Sequence, residues 1–226
     1  MPKVSVRLKG EEQQPIVIID DFFPEPDRLL KDAAAREYSQ IGPYYPGIRA
    51  TVPDWYAGFV LQSLAAVFTK VFAYPSAPAY EEGMYSIATT PPEELMPIQL
   101  FPHYDGVDPD KLAVLHYLCG PDMGGTSFYR HRSTGFETVT TDRFATFKDT
   151  LEAEIRDSGV PQPRYIGEST EFFEKIDHCE ARFNRLVIYR GMNLHSADIH
   201  NDVALSSDPA TGRLTVNTFL VRPADR

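Results

Sequence analysis

Cysteine is scarce in this chain of 226 residues, which contains only Cys119 and Cys179. Two cysteines are too few for a disulfide framework, and Cys119 ends an apolar stretch of sequence. We therefore expect buried free thiols rather than a bridge. The pair also lacks the close spacing of a structural zinc site, so a function based on cysteine is not indicated.

Positive charge is also in short supply, because 22 Lys and Arg residues stand against 32 Asp and Glu residues. The formal net charge is −10 at pH 7. Such a balance opposes nonspecific attraction to phosphate backbones and to anionic membranes. Neither nucleic acid nor a membrane surface is therefore expected as a partner.

Long hydrophobic runs are missing as well, and no stretch is apolar enough over its length to cross a bilayer. Residues 1–10 have no apolar core of the signal-peptide kind. The expected location is therefore the cytoplasm. Internal repeats and linkers rich in Gly, Ser or Pro are also missing, so residues 1–226 are predicted to form a single domain.

Helical patterns are concentrated in the N-terminal third, about residues 1–78. Pro26 suits a helix start, and Asp54 suits the cap of a second helix whose apolar residues recur at helical spacing as far as Phe72. A third helix is predicted at about residues 142–157, with Gly159 just beyond it. We interpret this third helix as an insertion packed on the outside of a mainly β region.

The remaining sequence favours β-strands. Apolar or alternating segments that read as strands occur at residues 16–20, 111–119, 124–129, 185–189 and 212–221. The fold class predicted from this distribution is mainly β with flanking helices.

A pair of potential metal ligands, His103 and Asp105, stands at the end of one extended segment. Residues i and i+2 of an extended chain lie on one face, so both side chains point the same way. His195 is the candidate for a third ligand. Two histidines and one carboxylate form the facial triad that holds Fe(II) and leaves positions open for oxygen chemistry.

The order of motifs around this pair resembles the catalytic core of the prolyl 4-hydroxylase-like group of Fe(II)/2-oxoglutarate oxygenases. In that group a His-x-Asp is followed by an apolar strand, a Gly-Gly-x-Thr-x-Phe strand, a distal histidine and a last strand with a basic residue. The resemblance covers about residues 80–222, and residues 16–24 look like the opening strand of such proteins. Residues 124–132 also look like a bacterial branch without an assigned substrate.

The resemblance implies a double-stranded β-helix, or jelly-roll, core at about residues 80–222 with the N-terminal helices packed outside. It makes His103, Asp105 and His195 the iron ligands, with 2-oxoglutarate and O2 as co-substrates. Arg213 becomes the partner of the 2-oxoglutarate C5 carboxylate, and Thr215 shares its face by strand alternation. Arg213 comes eighteen positions after His195 instead of about ten, which we attribute to a lengthened loop at residues 201–212.

The implied activity is hydroxylation of a C–H bond with release of succinate and CO2. Retention of Asp105 favours hydroxylation over halogenation, because halogenating relatives replace this carboxylate with a small residue. The substrate class stays open among free amino acids, residues of peptides or proteins, and small metabolites. Two other interpretations also stay open: a sensor of iron or 2-oxoglutarate without turnover, and an interaction module that has lost the metal.

Several further residues are candidates for ligand contacts. The hydroxyls of Tyr85 and Tyr129 are candidates for contact with the co-substrate, with core packing as the alternative. A basic turn is the candidate for binding an acidic substrate, with a solvated turn as the alternative; it consists of Arg130, His131 and Arg132. Residues 42–49 are interpreted as a loop that overhangs the mouth of the site, with a plain structural loop as the alternative.

Overall fold

The computed structural model describes residues 2–74 and 76–223. Ten strands are found within these residues: β1 (Lys3–Lys9), β2 (Gln14–Asp20), β3 (Gly47–Thr51), β4 (Ala79–Ala88), β5 (Leu112–Tyr117), β6 (Gly125–His131), β7 (Phe173–Glu180), β8 (Arg185–Arg190), β9 (His195–Asp198) and β10 (Arg213–Val221). The α-helices in the same part of the chain are α1 (Pro26–Ala34), α2 (Asp54–Ser63), α3 (Ala65–Lys70) and α4 (Phe144–Ser158). The prediction of a mainly β chain with flanking helices is confirmed.

The strands form two antiparallel sheets. The larger has seven strands in the order β1-β2-β8-β5-β10-β4-β3, and the smaller has three in the order β7-β6-β9. Strands β5 and β8 lie at the centre of the larger sheet, and nearly every residue in them is buried. Burial on both faces explains why these segments are continuous apolar runs rather than alternating ones.

Each face of the larger sheet packs against a different layer. On one face, apolar side chains of the N-terminal helices, including Leu29, Tyr56 and Phe68, form one core with sheet residues. On the opposite face, a second core joins the two sheets through residues such as Leu115 and Phe128. A third core lies beneath α4 and the segments on either side of it.

The helices largely follow the sequence pattern. Helix α1 begins at Pro26 as predicted, and α4 begins two residues later than predicted, at Phe144. The single second helix predicted as far as Phe72 is wrong, because the chain leaves helical geometry at Leu64 and divides into α2 and α3. None of the helices in the described residues has the length and apolarity that would let it span a membrane.

The first strand was missed by the sequence analysis, although its residues alternate regularly. Strand β1 is an edge strand that exposes Val4, Val6 and Leu8 but buries Lys9. Cys119 and Cys179 are both buried and unbridged, as predicted.

Candidate metal centre

Backbone hydrogen bonds bring the two halves of the candidate triad together. His103 and His195 bond each other through both N–H and C=O groups, at 2.8 and 2.9 Å. The Asp105 amide donates to the Gly191 carbonyl at 2.7 Å. The segment that precedes β5 is therefore held alongside the turn between β8 and β9, which places the predicted third ligand beside the first two.

The ligand atoms of His103, Asp105 and His195 all lie within 4.8 Å of one another. The Asp105 carboxylate is 3.9 Å from Nε2 of His103 and 3.4 Å from Nε2 of His195. Three donors that converge in this way, from two imidazoles and one carboxylate, match the donor set of a facial triad.

The orientation of the His195 ring is determined by its other nitrogen. Nδ1 lies 2.8 Å from the Asn193 carbonyl oxygen, which can only accept, so Nδ1 carries the proton and donates. The lone pair is then on Nε2, which faces Asp105. A backbone carbonyl that fixes the tautomer in this way is typical of histidines that bind metals.

The His103 ring projects into a cavity, where 55% of its side-chain surface is accessible, rather than into bulk solvent. Removal from bulk water, together with the nearby His195, lowers its pKa to about 4, although Asp105 favours the charged form. His103 is therefore neutral at neutral pH, which is the form that binds a metal.

Arg213 lies in the same cavity and is only 3% exposed. Its Nε donates to the Met123 carbonyl at 3.1 Å and its Nη2 to the Gly125 carbonyl at 2.7 Å. Within residues 2–74 and 76–223, no carboxylate oxygen lies within 4.0 Å of its nitrogens. A buried cation without a counter-charge is costly, so this end of the cavity is suited to an anion.

Two further polar side chains, Tyr45 and Ser86, belong to the same region of the structure as Arg213. The Tyr45 hydroxyl and Ser86 Oγ are buried and have no hydrogen-bond partner among the described residues. Ser86 is opposite Thr215 in the sheet, so both lie on the face that carries Arg213. Burial raises the pKa of Tyr45, although Arg213 and Arg49 attract its anionic form. Tyr45 therefore stays a neutral hydroxyl, with Ser86 close to it.

The cavity lined by Arg213 and Tyr45 has a volume of about 1070 Å³. The triad, Arg213 and Thr215 line it, and residues 42–46 border it, as predicted for the overhanging loop; residues 47–49 belong instead to β3. Helix α4 also lines the cavity, through Phe147, Lys148, Leu151, Glu152 and Ile155. The helix is an insertion between β6 and β7, as interpreted from the sequence, and its apolar face also closes one side of the cavity.

Tyr85 and Tyr129 are not brought to the cavity, which corrects the expected contact with the co-substrate. Tyr85 is opposite Val216 and points into the core beneath the N-terminal helices. Tyr129 donates its hydroxyl to the Ile166 carbonyl at 3.1 Å and packs in the core beneath α4. Successive strand residues point to opposite faces, so a shift of one position reverses the role of a side chain.

The basic turn does not line the cavity either, which corrects the expected substrate contact. Arg130 is paired with Glu137 at 2.6 Å. His131 is fully buried and contacts Glu154 at 2.8 Å, and Arg132 donates to the Thr170 carbonyl at 3.0 Å. Carboxylates therefore pair with Arg130 and His131, and Arg132 is exposed outside the cavity.

No motif in the sequence singles out Tyr45, Arg49 or Ser86. Arg49 and Tyr45 were included in a segment interpreted as a loop. The alternation of Ile48, Arg49 and Ala50 was the one local sign of a strand with a polar residue on one face.

Several solved structures share this fold. The α-ketoglutarate-dependent epimerase SnoN of nogalamycin biosynthesis is 12% identical over 94% of this chain and 82% of its own, with a TM-score of 0.53. HygX from Streptomyces hygroscopicus, solved with nickel, 2-oxoglutarate and hygromycin B bound, is 13% identical over 93% and 84%, with a TM-score of 0.52. AviO1 from Streptomyces viridochromogenes Tue57 is 12% identical over 97% and 93%, with a TM-score of 0.51.

These likenesses confirm the fold implied by the resemblance in the sequence: a mainly β, jelly-roll-like architecture shared with 2-oxoglutarate-dependent enzymes. A model of the family of unknown function DUF6445 matches residues 1–220, so the chain belongs to that family. No curated protein matches the sequence.

Proposed function

We propose that this protein is a single-domain Fe(II)/2-oxoglutarate-dependent dioxygenase that acts on a small molecule. One observation carries the proposal: the cavity that contains the convergent His103, Asp105 and His195 also contains Arg213, a buried cation without a counter-charge. A metal triad alone would suit many metalloproteins. The added anion site suits a co-substrate that has a carboxylate at each end.

The residues present fit both groups. His103, Asp105 and His195 would hold Fe(II), because two neutral imidazoles and a carboxylate are suitable ligands for it. Arg213 and Thr215 would bind the C5 carboxylate of 2-oxoglutarate, with the unpartnered hydroxyls of Tyr45 and Ser86 nearby. When bound, iron and 2-oxoglutarate supply an oxidant from O2 while the co-substrate is converted to succinate and CO2.

The residues of the chain hold the metal ligands in position and shield the reaction space from solvent. The backbone pairing of His103 with His195 fixes the two imidazoles relative to each other, and Asn193 fixes the proton on His195. Helix α4 and residues 42–46 enclose the reaction space on two sides. We propose hydroxylation of a C–H bond as the outcome, since Asp105 is retained. A volume of about 1070 Å³ leaves room for a substrate of drug-like size beside the co-substrate.

Anaerobic metal titration tests the metal site. We expect one Fe(II) per chain in the wild-type protein and at least about a tenfold loss of affinity in Asp105→Ala, because no spare donor replaces the lost carboxylate. Asp108→Ala is the matched control, since Asp108 is an exposed acid nearby whose carboxylate accepts from the Asp110 amide. Equal iron occupancy in Asp105→Ala and Asp108→Ala would contradict the assignment of the triad.

A second measurement tests the co-substrate site and distinguishes a dioxygenase from a sensor and from an interaction module. We expect Arg213→Gln to raise the 2-oxoglutarate concentration needed for the charge-transfer absorption of the Fe(II) complex by tenfold or more, with iron binding retained. Release of succinate in air distinguishes a dioxygenase from a sensor that binds both groups without turnover. Wild-type protein that binds neither group would instead support the interaction module.

A further inference from the structure

A second arginine without a carboxylate partner points into the same cavity. Arg49 lies on β3 opposite Ser86, so it shares the cavity face of the sheet. Its Nε atom is buried and has no hydrogen-bond partner among the described residues. Its guanidinium group lies 4.2 Å from the centre of the Tyr45 ring, which holds the side chain in place.

Arg49 and Arg213 occupy different places. Arg213 is on β10 and is held by the Met123 and Gly125 carbonyls, whereas Arg49 is on the edge strand β3, two strands away. Neighbouring strands are about 4.8 Å apart, so the two positions are separated by roughly 10 Å across the sheet. Arg49 lines the cavity three residues after Pro46, the last residue of the bordering segment 42–46. It therefore occupies a different part of the cavity lining from Arg213.

The acids of the cavity lining do not neutralise Arg49. Glu81 is paired with Lys111 at 2.7 Å, and Glu152 is near Lys148 at 3.6 Å. Glu82 lies on the same face of β4 as Ser86 but four residues away, which is about 13 Å along a strand. Asp105, the remaining acid of the lining, is near His103 and His195 and forms no ion pair with Arg49. The positive charge of Arg49 is consequently available to a ligand.

The mouth of the cavity is apolar. Tyr44, Ile98 and Val160 line it and are 63%, 55% and 48% exposed. Phe147, Leu151 and Ile155 add the apolar face of α4. Exposed apolar side chains grouped around a cavity are suited to the apolar part of a ligand.

We propose that Arg49 binds a carboxylate of the primary substrate, whose apolar body packs against this rim. This inference rests on the proposed function for the reaction that follows binding, but the recognition itself needs no turnover. The preference for an acidic substrate is thus assigned to Arg49 rather than to the basic turn. A guanidinium stacked on an aromatic ring suits this task, because its planar fork matches a carboxylate.

A matched pair of probes tests the recognition: 4-phenylbutyrate, which has a carboxylate, and 4-phenylbutanamide, its neutral analogue. Binding is measured by calorimetry on Ni(II)-loaded protein with saturating 2-oxoglutarate, which occupies Arg213. We expect the wild-type protein to prefer the acid by about tenfold, as for one hydrogen bond to a charged group. Arg49→Gln should remove the preference, Arg49→Lys should restore part of it, and the control Arg132→Gln should leave it unchanged.

The midpoint of 2-oxoglutarate binding separates this role from that of Arg213. It should be the same in Arg49→Gln as in the wild-type protein. A rise comparable to that in Arg213→Gln would mean that Arg49 serves the co-substrate, and equal wild-type affinity for acid and amide would also overturn the proposal. The same probes, applied to metal-free Arg213→Gln with and without Arg49→Gln, test the recognition even if the protein is not an oxygenase.

Discussion

Lys9 is a buried cation like Arg213, but it lies outside the cavity. Its ammonium group is buried, has no hydrogen-bond partner among the described residues, and lies 5.4 Å from the centre of the Phe128 ring. Burial lowers its pKa to about 8, although Glu137 and Glu12 attract the charged form. Lys9 is not part of the cavity lining, so its burial has a cost that no ligand in the cavity offsets.

We therefore expect Lys9→Met to stabilise the fold. Below pH 8, the folded protein carries a desolvated charge that the variant lacks, which should raise its free energy of unfolding by about 2 to 3 kcal/mol. Between pH 8 and 10.5, the unfolded chain binds a proton that the folded wild-type protein does not, so wild-type stability rises with pH. The gain in the variant should therefore disappear over this window.

Denaturant unfolding at several pH values measures this difference. Lys3→Met is the control, because Lys3 lies on the same strand and is exposed. A variant less stable than the wild-type protein at pH 7 would show that the acids around Lys9 outweigh its burial.

At the scale of an element, the smaller sheet is tied together through one carboxylate on β9. Asp198 accepts from Ser127 on β6 at 2.7 Å and from Lys175 on β7 at 3.0 Å, and it lies 3.1 Å from Nδ1 of His178. Burial alone would raise its pKa, but the bonds from His178, Ser127 and Lys175 outweigh it and hold the pKa well below the usual range. Each strand of this sheet therefore has a side chain at the carboxylate.

Asp198→Asn should destabilise the protein by about 2 kcal/mol at pH 7, the usual worth of hydrogen bonds to a charged group. The folded pKa is depressed, so this contribution is present above the unfolded value of 3.8 and is lost as the pH falls below it. The difference between variant and wild-type protein should shrink accordingly in acid. Thermal unfolding from pH 7 to pH 2 measures it, with the exposed Asp202→Asn as control; a difference constant with pH would contradict this account.

At the scale of the whole molecule, the candidate site exists only when distant parts of the chain are folded together. The triad joins the segment before β5 to β9, and Arg213 comes from β10. A ligand that binds these groups cannot bind the unfolded chain in the same way. Its binding energy therefore adds to the stability of the fold.

Fe(II) and 2-oxoglutarate should each raise the midpoint of thermal unfolding under anaerobic conditions. At one hundred times its Kd, a ligand adds about 2.7 kcal/mol to the free energy of unfolding. Arg213→Gln should lose most of the 2-oxoglutarate increment while it keeps the Fe(II) increment. Scanning fluorimetry with each ligand alone and with both together measures this, and a full 2-oxoglutarate increment in the variant would move the anion site away from Arg213.

Local periodicity let the sequence by itself determine much of this protein. The i, i+2 spacing of His103 and Asp105 implied a shared direction, and the alternation in β10 placed Arg213 and Thr215 on one face. Continuous apolar runs indicated the central strands, and Pro26 marked the start of α1. Each of these features depends on residues that are close in sequence, so it can be predicted without the fold.

Only the tertiary structure decided which face of each element meets the cavity. Tyr85 was predicted to reach the co-substrate, yet its face of β4 is covered by the N-terminal helices. The charge of Arg130 is compensated by Glu137. Arg49 has no carboxylate partner among the described residues, so its charge is uncompensated. The physical reason is that burial and charge compensation come from neighbours distant in sequence, whose positions no local pattern encodes.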